Sequence, residues 1–226
     1  MEKREHSLYF KYLDDVMDYK LSSLVLIWNK LPIIMRKRVP HANRLAIFRN
    51  LALVSALYIT GGRASEVATI QLKDITIEDG WIYIRLNNRK NRRNPRKEIM
   101  ANLEVEKVFL NWLVKYYNYR LSIVNDLDAP LFPIVKGKEY NVFNSQQAIY
   151  NMTTRYTGIN PHFFRKLRAS HLLEYYGFDI KPLQQYLGWS SVLSSEPYLK
   201  ISKAGIKKNY LQNQEEIKKI TGVDLN

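Results

Sequence analysis

"PHFFRKLRASHLLEYYGFDIKPLQQYLGWSSVLSSEPYLK", residues 161–200, decides how the rest of the chain is read. Proline favours the first turn of a helix, so a helix is expected to start close to His162. His162 and Arg165 lie three apart and share a helical face. A helix N-terminus bearing both suits phosphate, because free backbone N–H groups and the dipole add to the arginine fork. Taken alone, the pair is weak evidence and fits a solvated surface His and Arg better. "KPLQQYLGW" reads as a second helix, separated from the first by a Gly-x-Asp turn at Gly177–Asp179. Tyr198, one of sixteen tyrosines, closes the stretch. Pro197 before it restricts Glu196 to extended geometry and can begin a new helix at the tyrosine.

The rest of the chain narrows the chemistry. Its 226 residues suffice for one large domain with a buried core, or a domain and an appendage. No apolar run approaches the roughly 18–20 residues that span a bilayer. The first ten residues, "MEKREHSLYF", are charged, unlike a secretory signal. With no cysteine there is no disulfide framework, thiolate zinc site or thiol nucleophile. Thirty-five Lys and Arg against twenty-one Asp and Glu give a net charge of +14, which favours a polyanionic partner. "RLNNRKNRRNPRK" (85–97) concentrates seven of those cations and no acid. It has too few apolar residues for an amphipathic membrane helix. A solvated basic loop and a phosphate-contacting loop remain open.

Apolar spacing predicts a mainly helical chain with one short β region, an α+β class. "SLVLIWNKLPIIMRKR" and "ANRLAIFRNLALVSALYIT" have helical periodicity, the second stopping at Gly61-Gly62. "ITIEDGWIYIRL" reads as strand, Asp79-Gly80 turn and strand, and "RKEIMAN" as a third strand after the basic run. Helices follow at "LEVEKVFLNWLVKYYNYRL" and "NSQQAIYNMTTRY", and a last one at "NQEEIKKI". Clustered tyrosines such as Tyr116, Tyr117, Tyr175 and Tyr176 are expected to pack or snorkel at helix surfaces.

Metal-dependent nuclease chemistry needs clustered carboxylates or histidines. The histidines are His6, His41, His162 and His171. The last two are nine residues apart on one helix, about 180° round it, so they cannot chelate one ion. Asp14-Asp15 and Glu215-Glu216 read as solvated charges, and no metal site stands out. In "TGGRASEVATIQLKDI" (60–75), Arg63 and Glu66 are again three apart; taken singly they read as a simple helix-start ion pair, with a carboxylate that orients the guanidinium as the second reading.

GGRASE, NRKNRR, HFFR, LGW and a tyrosine nine residues past the tryptophan occur in that order. Over residues 42–205 the chain resembles the tyrosine recombinase, or phage integrase, family. The resemblance implies that family's catalytic-domain fold. It marks residues 1–41 as a helical arm or remnant of a DNA-clamping domain, and 42–226 as a catalytic domain with a C-terminal helix. Arg63 and Arg165 are implied as phosphate-binding arginines, Glu66 as the support of the first, and His162 as the histidine of HxxR. Trp189 stands where most members carry a second histidine and some a tryptophan. Tyr198 matches the nucleophile, with Tyr210 as its rival. Lys90 best fits the lysine of the hairpin between the second and third strands, although Arg89, Arg92, Arg93 and Lys97 crowd the same turn. Arg85, Arg89, Arg92, Arg93, Arg96 and Lys97 are expected DNA contacts.

The implied activity is site-specific recombination through a 3′-phosphotyrosine, with no metal, ATP or other cofactor. The implied setting is the cytoplasm of the prokaryotic host of a virus, plasmid or chromosome. Double-stranded DNA is the expected partner, with homo-oligomers assembling on it through the C-terminal helix. Two alternatives stay open: a type IB topoisomerase-like relaxing enzyme and a non-catalytic DNA-binding relative. The family's separate clamp domain has no counterpart in these 226 residues beyond 1–41. Either the clamp is reduced to an arm, or the chain is a piece of a longer protein.

Overall fold

The computed structural model describes Val16 and residues 18–38, 43–87, 96–136 and 139–188. Helix α1 (Leu21–Arg38) buries Leu24, Ile27, Trp28, Leu31 and Met35, a stripe of three- and four-residue steps. Arg36, Lys37 and Arg38 in its last turn complement the helix dipole. The stripe is no loose appendage. The Trp28 ring lies 5.6 Å from Tyr58, 5.1 Å from Phe109 and 6.5 Å from Phe164, residues of three later helices.

Helix α2 (Arg44–Thr60) is the axis of the core, and every residue from Asn50 to Thr60 is buried. A helix apolar all round is stable only when surrounded, and α1, α4 (Lys107–Ile123) and α6 (Pro161–Glu174) supply that cover. Asn43 caps its start, accepting from the Leu45 N–H at 2.9 Å. Gly61 ends it in the left-handed region at φ 53. A Cβ there would stand 2.5 Å from Leu187 Cδ2, so glycine is required both by conformation and by close approach.

After α3 (Ala64–Val67) the chain forms an antiparallel sheet of β1 (Ile75–Glu78), β2 (Trp81–Asn87) and β3 (Arg96–Asn102), in that order. Asp79 and Gly80 both have positive φ, 48 and 79, as a tight hairpin turn demands. Ile82, Ile84 and Leu86 alternate inward from β2, with Ile84 opposite Ile99 and Leu86 opposite Lys97. The remaining helices are α5 (Gln146–Thr157) and α7 (Ile180–Leu187). Asn160 caps α6 through a 2.9 Å bond from the Phe163 N–H, with Pro161 in its first turn. The α+β class and the three-stranded sheet are as expected. A second sheet, β4 (Pro133–Lys136) with β5 (Glu139–Phe143), was not anticipated. Runs of four and five residues, with a register shift between Ile134 and Lys136, are too short for alternation to register.

The core also holds a polar knot. Arg168, 2% exposed, pairs with Glu106 at 2.6 Å and lies 5.1–5.6 Å from the rings of Tyr58, Tyr176 and Tyr186. A buried guanidinium is tolerable with a paired carboxylate and aromatic faces around it. His171 bridges Tyr58 Oη at 2.9 Å and the Tyr19 carbonyl at 3.0 Å. Because a carbonyl only accepts, Nε2 carries the proton and Nδ1 accepts from the tyrosine.

Candidate active site

The site forms where α2 stops, α3 starts and the ends of α6 and α7 converge. Gly61 turns the chain out of α2, and Arg63 becomes the cap of α3. The Glu66 carboxylate reaches back, accepting from the Arg63 N–H at 2.8 Å and from Arg63 Nη1 at 2.7 Å. The sequence spacing therefore delivers a capping box as well as an ion pair. Glu66 is 2% exposed and Arg63 33%, so the carboxylate is sunk while the guanidinium still meets solvent.

Arg165 enters from the first turns of α6. Its Nη1 donates to the Gly61 carbonyl at 2.6 Å and its Nη2 to the Leu187 carbonyl at 2.8 Å. Lys97 comes from β3, with Nζ 3.4 Å from Glu66 Oε2 and 3.4 Å from the Leu187 carbonyl. Three cations thus surround one carboxylate. The cluster carries a net positive charge, which suits a phosphate or another oxyanion. One buried carboxylate held by cations is no cradle for a divalent metal. Among the described residues no three His, Asp or Glu side chains gather as a metal site.

Burial opposes ionisation of Glu66, but Lys97, the Arg63 N–H, Arg63 and Arg165 outweigh it and hold the carboxyl below its usual value. Lys97 goes the other way: burial, helped by Arg165 and Arg63, outweighs Glu66 and brings its ammonium down to about 8. His162 is exposed in the first turn of α6. Partial burial, then Lys166, Arg165 and Arg63, lower its imidazole below 6.5. At neutral pH it is mostly the free base, able to take a proton.

Arg63, Glu66, His162 and Arg165 are therefore parts of one electrostatic cluster. Lys90, Trp189 and Tyr198 lie outside the described residues, as do Arg89, Arg92, Arg93, the rival Tyr210 and the expected C-terminal helix. Arg96 opens β3 opposite Asn87. Arg85 is about half exposed and pairs with Glu98 at 3.2 Å. Lys97, grouped with the basic run as an expected DNA contact, is buried instead: only 7% of its side chain is exposed, and it lies inside the cluster. The signal was present in the strand period. Lys97, Ile99 and Ala101 share one face of β3, and the last two are buried. Leu187 contributes through its backbone, which no residue pattern announces.

Comparison with known proteins agrees with this architecture. The model of the phage integrase family matches residues 37–204. The tyrosine recombinase XerD of Staphylococcus saprophyticus is 27% identical over 178 residues, 76% of this chain and 56% of its own. XerC of Corynebacterium glutamicum is 29% identical over 163 residues, 71% of this chain and 49% of its own. The chain spans about half the length of the curated relatives it matches. Among solved structures, the XerH site-specific recombinase bound to its difH substrate superposes with a TM-score of 0.57 at 20% identity, covering 87% of this chain and 53% of that one. The XerA recombinase gives 0.56 at 21% identity, covering 81% and 63%.

Proposed function

The chain belongs to the phage integrase family, and on that premise we propose that it is a site-specific DNA recombinase working through a 3′-phosphotyrosine. The observation that carries this is the cluster itself. Arg63 and Arg165, far apart in sequence, both act on the Glu66 carboxylate, and Arg165 also holds the Leu187 carbonyl, where α7 hands the chain on toward Trp189 and Tyr198.

In this reading the Tyr198 hydroxyl, with an ordinary pKa near 10, gives up its proton toward neutral His162 as its oxygen attacks phosphorus. Arg63 and Arg165 stabilise the charge on the non-bridging oxygens, and Glu66 keeps Arg63 aimed. The bond from phosphorus to the 5′ oxygen breaks, and Lys90 supplies the proton that leaves a free 5′ hydroxyl. The Trp189 N–H donates to a phosphate oxygen. Each phosphodiester exchanged for a phosphotyrosine keeps its energy, so religation by the reverse step needs neither metal nor ATP.

Double-stranded DNA is the partner, with Arg85, Arg89, Arg92, Arg93 and Arg96 on its backbone and protomers assembling through the C-terminal helix. Within the segment 1–41, assigned as the arm of this catalytic domain, helix α1 (Leu21–Arg38) packs on the core through Trp28. The discriminating experiment offers two DNA duplexes carrying the sequences that flank the gene and looks for exchanged strands. A recombinase yields recombinant products. Relaxation of a supercoiled plasmid without exchange would favour the topoisomerase-like alternative, and binding without either would favour a non-catalytic relative.

A further inference from the structure

Lys97 has no task in the chemistry just described, yet it is among the most buried cations of the described residues. It sits on the inward face of β3 with 7% of its side chain exposed, its Nζ shared between Glu66 Oε2 and the Leu187 carbonyl. Arg165 reaches the same carbonyl at 2.8 Å and ties it to the Gly61 carbonyl at 2.6 Å. The Leu187 side chain meanwhile rests where a Cβ on Gly61 would stand, 2.5 Å from Cδ2. The last residue of α7 is thus held at three points: by Lys97 of β3, by Arg165 of α6, which also reaches the Gly61 carbonyl, and by the close approach of its side chain to Gly61. Its carbonyl belongs to the final turn, whose carbonyls have no partner within the helix. Gly188 then turns the chain at φ 64.

We propose that Lys97 is a positioning residue that, together with Arg165, holds the Leu187 carbonyl and so sets where the chain departs toward Tyr198. A proton donor to the 5′ oxygen would need an ammonium open to the DNA, whereas this one is engaged by a carboxylate and a carbonyl inside the fold. The same Arg165 that binds phosphate would then register the nucleophile's segment, and Lys97 would keep that register through Glu66. This rests on the phosphotyrosine reading above.

The test measures covalent adduct formation on a nicked duplex with an ordinary 5′ oxygen and on one with sulfur at that bridging position, whose thiolate leaves without a proton. Lys97→Met is expected to form adduct about a hundredfold more slowly on both substrates, with unchanged DNA affinity. Lys97→Arg, which restores a charged donor, is expected to regain most of the loss. Should Lys97→Met fail to melt cooperatively, Lys97→Gln is read on the same two substrates. Full recovery on the sulfur substrate would make Lys97 the proton donor and overturn the proposal. Wild-type rates in the Met or Gln variant would overturn it too. A wild-type chain that forms no adduct on either substrate would refute the phosphotyrosine reading as well, which separates the two failures.

Discussion

Arg63 and Arg165 look equivalent in the sequence but stand in opposite situations. Arg63 is a third exposed and is oriented by Glu66, whereas Arg165 is 2% exposed and joins two helix ends through their carbonyls. Replacing either by alanine should lower cleavage by about 10²–10³, the usual cost of removing one donor to a transition-state oxyanion. Their stabilities should part company. Arg63→Ala should melt close to wild type, because Glu66 keeps Lys97. Arg165→Ala should lose roughly 1–3 kcal/mol, as the buried Gly61 carbonyl loses that donor. Parallel melting curves and adduct yields check both; equal melting of the two variants would contradict the division of labour. His171 offers a residue-scale pH effect. Burial, with Arg168 close by, brings its imidazole down to about 4, against 6.5 unfolded. Between those values the unfolded chain binds the extra proton, so stability rises with pH. The contribution is complete above pH 6.5, is lost as pH falls toward 4, and amounts to at most roughly 3 kcal/mol. Urea midpoints at pH 5 and 7.5 should differ more in wild type than in His171→Gln.

At the scale of elements, the junction of α2 and α7 is the critical one. Gly61 combines φ 53 with the Leu187 contact, so Gly61→Ala should cost about 1–3 kcal/mol in backbone strain alone. It should also displace α7 from the proposed phosphate site, lowering adduct yield beyond the loss of stability. Thermal midpoint and adduct yield, measured together, test this; a variant that melts and cleaves like wild type would show that the close approach is dispensable. Helix ends were the most legible part of the sequence, because their signals are local. Asn160-Pro161 begins α6, Gly61 ends α2, and Asp79-Gly80 turns the hairpin. The β4–β5 pair was missed because a short strand draws its identity from its partner. The docking of α1 was equally hidden, since Trp28 meets Tyr58, Phe109 and Phe164, scattered over more than a hundred positions.

For the whole molecule, a charge of +14 favours a polyanionic partner such as DNA but says nothing of chemistry. The chemistry comes from folding distant segments onto one carboxylate. Order along the chain exposed Arg63, Glu66, His162 and Arg165 as a set, since their types and spacing survive in the sequence. Lys97 was masked by its basic neighbours, and the carbonyls of Gly61 and Leu187 carry no side-chain signature at all. The central claim is that this cluster serves Tyr198, and one measurement addresses it directly. The chain is incubated with nicked duplexes built from the DNA flanking its own gene, and the covalent adduct is mapped by peptide mass. The account predicts an adduct through Tyr198 that disappears in Tyr198→Phe while DNA affinity is kept. An adduct that persists in Tyr198→Phe, or that maps to Tyr210, would contradict it.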